Sequence, residues 1–168
     1  KQSSSNTKIV SLSGKDRAAV LFGGTDPDLM LWYDKKGAYS MSTYYADSLP
    51  NWVKDFNIRL NVKSYMDSTW SLVASPEVYA QNTRIDNFKG EKIVSKKKGA
   101  TPTLPLLLGD ISMKSLLEGF YEYPQGDRSL IDLALESIER LDLGGDDVPD
   151  LLFVGLSATD GVGHHFGP

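Results

Sequence analysis

The chain has 168 residues, 40% apolar and 24% charged, a size and mixture suited to one soluble folded domain with a real core. Its 22 acidic and 18 basic residues give a net charge of −4, which argues against a general nucleic-acid binder. The absence of cysteine excludes disulfides, thiolate metal ligands and a cysteine nucleophile.

The start, "KQSSSNT" (1–7), reads as a flexible polar lead-in with no visible signal peptide. "KIVSLS" (8–13) follows as a short β-type segment and breaks at Gly14 into "KDRAAVLFGG", ended by Gly23-Gly24. If the backbone stays extended past Gly14, Lys15 and Arg17 point to one side and could grip an anion. Arg would bind in forked fashion and Lys as a point charge, with Asp16 facing away. The competing reading is an exposed Lys-Asp-Arg loop paired with solvent.

Residues 29–45 predict a β-hairpin around Asp34-Lys35-Lys36-Gly37, with Trp32, Tyr33, Tyr39, Tyr44 and Tyr45 as packing residues or one wall of a cleft. "SLPNWVKDFN" predicts a short helix capped by Ser48, with Pro50 in its first turn and Trp52 and Phe56 on one face. Residues of about 60–112 show weak periodicity and read as an elaboration over a scaffold. The three lysines of "SKKKG" (95–99) fit a solvated loop.

Strong periodicity returns in "GDRSLIDLALESIERLDLGG". Asp127 is the candidate N-cap, Leu130, Ile131, Ala134, Ile138 and Leu141 form the apolar face, and Gly144-Gly145 close the helix. "LLFVGL" (151–156) is an apolar run suited to a strand buried on both faces. Helix followed by buried strand is half of a βαβ unit, so the expected fold class is α/β with a mostly parallel sheet, flanking helices and an inserted hairpin and loop region. No stretch reaches the roughly 18 to 20 apolar residues of a membrane span.

Asp160 and His164 fall just past that strand, where ligands sit in open α/β sheets. Asp-x-x-x-His across a turn can bring an oxygen and a ring nitrogen onto one cation, with Gly161 and Gly163 helping the backbone fold tightly. Zinc accepts such donors but needs three or four of them. A capped loop with a surface histidine remains the other reading, and His165 reads as solvent-facing or as support behind the site.

Together, "SLSGKDRAAVLFGG", "LWYDKKGAYSMSTYYADSLPNWVKDFN", "YPQGDRSLIDLALESI" and "PDLLFVGLSATDGVGHHFGP" resemble the alkaline phosphatase superfamily. The nearest branch is the bacterial phosphate-irrepressible alkaline phosphatases, related to type I phosphodiesterases and nucleotide pyrophosphatases. The resemblance runs over most of 8–168, read as a single domain that is part of a larger catalytic one.

It implies zinc, two per complete site, with Asp160 and His164 ligating one of them, and Lys15 and Arg17 contacting the phosphate oxygens of a monoester. It also implies a phosphoenzyme formed on a threonine or serine, and a periplasmic or secreted location. The nucleophile cannot be identified in this chain: Ser4, Ser5 and Thr7 lack the matching pattern, and Thr25 stands where the family has a histidine. The expectation is therefore a central portion of a phosphate monoesterase, with a phosphate ester as partner, that by itself binds zinc poorly and turns over negligibly. The alternatives are a phosphodiesterase or nucleotide pyrophosphatase, and a non-catalytic anion-binding or scaffold module.

Overall fold

A computed structural model describes residues 6–166. Its central feature is a four-stranded sheet ordered Tyr39–Ser40, Leu29–Tyr33, Ile9–Ser13, Leu151–Gly155. Strand β1 (Ile9–Ser13) pairs in parallel with β2 (Leu29–Tyr33) and with β6 (Leu151–Gly155). The two-residue β3 (Tyr39–Ser40) returns antiparallel to β2. The fold is thus α/β with a mostly parallel sheet and flanking helices.

The period-2 alternation of β1 assigns its two faces. Val10 and Leu12 join the main core with Leu31, Tyr39, Val53, Phe56, Leu130 and Leu133. That side is covered by α2 (Asn51–Leu60) and α5 (Pro124–Leu141). Ser11 and Ser13 are buried on the opposite side, where α1 (Asp16–Gly23) lies. Small residues are needed there because helix and sheet approach closely: a Cβ on Gly23 would sit 2.9 Å from the Ser11 Cβ. The Ser11 hydroxyl is satisfied by donating to the Ala19 carbonyl at 2.7 Å.

Several expectations are corrected. The backbone does not stay extended after Gly14; only Lys15 is extended, and α1 starts at Asp16. The helix expected after Ser48 begins at Asn51 with Pro50 as its N-cap, and the Pro50 carbonyl accepts from the Val53 and Lys54 amides. Asp127 does not cap its own helix, since α5 starts at Pro124 with Tyr123 at the N-cap. The buried stripe of α5 is Leu130, Leu133, Ala134 and Ser137, while Ile131 and Ile138 face outward. Strand β6 is not buried on both faces: it lies at the end of the sheet, with Leu151 and Val154 exposed.

The predicted turn at 34–37 is present, with Lys35 and Gly37 at positive φ. The hairpin is shorter than expected, because pairing stops at Ser40. Residues 60–112 form short pieces, including the paired β4 (Thr69–Trp70) and β5 (Leu106–Leu107) and helix α3 (Pro76–Asn82). Helix α4 (Met113–Gly119) then leads into a 3-10 turn at Phe120–Glu122, and α6 (Ala158–Phe166) follows β6. Most of the polar lead-in lies outside the described residues, as do Gly167 and Pro168; Thr7 is already buried.

Candidate functional site

Parallel neighbours β1 and β6 deliver their carboxyl ends side by side, with Ser13 opposite Gly155. The loops beyond them are tied together. The Ser13 hydroxyl donates to the Gly155 carbonyl at 3.1 Å and accepts from the Lys15 amide at 3.1 Å. Gly14 passes so near the second loop that a Cβ would stand 2.9 Å from the Ser157 Oγ and 3.0 Å from the Tyr121 Cβ. A side chain at 14 would push the two loops apart.

Helix α6 is set by a residue from another element. One carboxylate oxygen of Asp127 accepts from the Ser157 amide at 2.9 Å and the Ala158 amide at 3.1 Å, satisfying donors that a helix start leaves over. Gly161 then allows α6 to press on the turn at Glu122, where a Cβ would lie 2.6 Å from the Glu122 Cβ. Asp160 and His164 are consequently one helical turn apart on an exposed face, not across a loop turn as expected. His164 Nε2 is 3.5 Å from an Asp160 oxygen.

The two sequence clusters meet here. The Lys15 ammonium forms an ion pair with the second Asp160 oxygen, although 145 residues separate them. That hydrogen bond and the ammonium's charge hold the Asp160 carboxyl below the usual carboxylate range. Arg17, in the first turn of α1, is exposed and forms no ion pair among the described residues. Lys15 and Arg17 both line a cavity of about 330 Å³.

His165 is not solvent-facing. It is mostly buried, with Nε2 3.7 Å from a Glu122 oxygen and 3.2 Å from the Lys92 ammonium. Burial first, and then the Lys92 charge, push its pKa down. Among the described residues no three His, Asp or Glu side chains gather to hold a metal ion, so Asp160 and His164 offer two donors. A larger apolar cavity of about 700 Å³ lies beyond α6, lined by Trp70, Tyr79, Val162 and Phe166 among others.

Sequence reasoning missed three contributors to the site, Lys35, Asp127 and Tyr121. Lys35 appeared only as part of a turn, Asp127 as a cap for α5, and Tyr121 carried no signal at all, whereas Trp32 read as hairpin packing or one wall of a cleft. Trp32, Lys35 and Tyr121 line the same cavity as Lys15 and Arg17. Burial pushes the Tyr121 hydroxyl up to about 12, so it is a neutral donor at neutral pH.

No family model matches the chain. The chain is 35% identical over 165 residues to "Alkaline phosphatase PafA" of Elizabethkingia meningoseptica, covering 96% of this chain and 29% of that protein. It is 34% identical to "Alkaline phosphatase PhoV" of Synechococcus elongatus, with 96% and 29% covered. It is also 35% identical to a "Calcium-transporting ATPase" of Myroides odoratus, with 95% and 29% covered. The chain therefore spans about 29% of the length of these curated relatives.

A crystal structure of wild-type alkaline phosphatase PafA matches 97% of this chain and 31% of its own, with a TM-score of 0.84 at 35% identity. A second, of a PafA variant, matches with the same TM-score at 33% identity and the same coverage of both chains. That variant is changed at a threonine, an asparagine, and a lysine and an arginine two residues apart.

Proposed function

Because this chain is related along almost its whole length to the alkaline phosphatases, we propose that the protein carrying it hydrolyses phosphate monoesters. The observation that carries this reading is one piece of geometry. Lys15, Arg17 and the Asp160–His164 pair lie together at the carboxyl ends of two adjacent parallel strands.

Phosphoryl transfer needs concentrated positive charge around three oxygens more than it needs acid–base chemistry. The Arg17 guanidinium offers a fork that fits two oxygens, and the Lys15 ammonium a compact charge beside it. Two cations favour a dianionic monoester over a diester, which carries less charge. The lysine and arginine changed together in the PafA variant have the spacing of Lys15 and Arg17, which supports the assignment. The changed threonine and asparagine precede that pair by more residues than stand before Lys15 here. No hydroxyl of this chain is assigned as the nucleophile.

Asp160 and His164, an oxygen and a nitrogen donor on one helix face, fit two positions of a zinc shell. Bound zinc would supply further positive charge beside the phosphoryl group. The Lys15 pairing keeps the Asp160 carboxylate ionised and turned toward the phosphate cations. With two protein ligands the segment by itself binds zinc weakly and turns over negligibly. The "Calcium-transporting ATPase" name among the relatives fits the same chemistry, since hydrolysis of ATP also cleaves a terminal phosphoryl bond. A periplasmic or secreted location goes with this reading.

The test is kinetic, on the full-length protein. Lys15→Ala and Arg17→Ala should each lower kcat/KM for 4-nitrophenyl phosphate by about 10² to 10³-fold, and lower it less for the bis(4-nitrophenyl) diester. Unaltered protein that hydrolyses neither ester, or variants that lose less than about threefold, would overturn the proposal.

A further inference from the structure

The cavity holding Lys15 and Arg17 is larger than a phosphate requires, and the rest of its lining has chemistry of its own. Its volume is about 330 Å³, and Trp32, Tyr33, Lys35 and Tyr121 are among its other lining residues. Trp32, on β2, is half-buried; its ring stacks on no other ring and its indole N–H has no partner among the described residues. Tyr121 presents a ring from the turn that follows α4.

Lys35 is held in place deliberately by the local backbone. Its φ of 62° lies in the left-handed region that a lysine rarely adopts. The Asp34 carboxylate fixes the turn by accepting from the Lys36 amide at 2.7 Å and the Ala38 amide at 3.2 Å. The result sets the Lys35 ammonium 5.9 Å from the centre of the Tyr121 ring, at the cavity. The two carboxylates that also line it, Asp16 and Asp34, are each engaged by backbone amides of their own turns. The cavity therefore offers, besides the phosphate-binding cations, the rings of Trp32, Tyr33 and Tyr121 and a third cation.

We infer that Trp32, Tyr121 and Lys35 form a leaving-group subsite for phosphate monoesters of a planar ring that carries a second negative charge. The rings contact the planar group, and Lys35 meets the distal anion. This rests on the monoesterase reading, which places the phosphoryl group at Lys15 and Arg17.

The test uses the full-length protein and two substrates that differ in the distal charge, phenyl phosphate and 4-carboxyphenyl phosphate. Lys35→Gly removes the ammonium but tolerates the left-handed turn. It should lower kcat/KM for the carboxyphenyl ester about tenfold and change that for the phenyl ester less than about twofold. Lys36→Ala, next door but outside the cavity lining, should leave both unchanged. Equal losses on both substrates, no loss on either, or the same selective loss in Lys36→Ala would each overturn the subsite. If the unaltered protein hydrolyses neither ester, the monoesterase reading itself has failed and the subsite goes with it.

Discussion

Asp127 shows how one side chain can position a site without touching it. Its carboxylate accepts from the Ser157 and Ala158 amides, and so fixes the start of the helix that carries Asp160 and His164. Substituting a capping residue of this kind costs about 0.5 to 2 kcal/mol. Asp127→Ala should therefore lower stability by about 1 kcal/mol, and amide exchange should accelerate along α6 more than along α5. Asp127→Asn, which keeps an acceptor oxygen, should recover much of the protection. Unchanged exchange at α6 in the alanine variant would show that the helix start is held by packing at Gly161. The sequence revealed a capping aspartate here but not the helix it caps, because the beneficiary lies 30 residues onward in the chain. Lys15 and Asp160 were legible as separate clusters for the same reason. Each has a local pattern, while their contact depends on β1 and β6 becoming neighbours.

At the scale of elements, the chain order of strand, helix and strand was readable, and errors came where two solutions fit one pattern. In α5 both Leu130-Leu133-Ala134-Ser137 and Ile131-Leu135-Ile138 recur at helical spacing, and only the sheet decides which stripe is buried. The helix is then tied to β1 at its far end. Lys8 donates to the Leu141 and Asp142 carbonyls, capping the helix terminus with a positive charge. Asp150 accepts from the Lys8 amide at 2.7 Å and the Gly144 amide at 2.9 Å, joining the start of β1 to the loop before β6. Those amides, Gly144 first, hold the Asp150 carboxyl below its ordinary range. A depressed carboxyl stabilises the fold above its unfolded pKa of about 3.9, and that stabilisation is lost as pH falls through the folded value. Asp150→Asn should have a lower urea midpoint than the unaltered chain at neutral pH, and the gap should close in strong acid. A gap that persists there would assign the effect to shape and not to charge.

For the whole molecule, the informative surface is the apolar one beside the end strand. Leu21 is 84% exposed, Phe22 54% and Leu156 55%, and Leu151 and Val154 are open along β6. Phe22 stacks on Phe153 at 5.7 Å on the α1 side of β6, and Val154 points to the α5 side, so the apolar surface wraps around the end strand. An end strand with exposed apolar side chains and unpaired backbone groups is a template for further pairing. Relatives more than three times as long have additional chain with which to cover such a face. The isolated segment should therefore bind a hydrophobic dye and self-associate with rising concentration in sedimentation velocity. Placing charge on the face, as Val154→Lys with Leu156→Lys, should suppress association while leaving the helix content intact. The same two positions in the full-length protein should be protected from hydroxyl-radical footprinting, because there the face is interior. Strong labelling at 154 and 156 in the full-length protein would mean that the sheet ends at β6 there too. Lys15 and Arg17 would then lie at the rim of the protein, since β1 stands only one strand in from that edge. Protection would instead put Lys15 and Arg17 near the middle of a wider sheet, where, on the proposed monoesterase reading, surrounding chain would exclude water from the phosphoryl group and strengthen each charge acting on it.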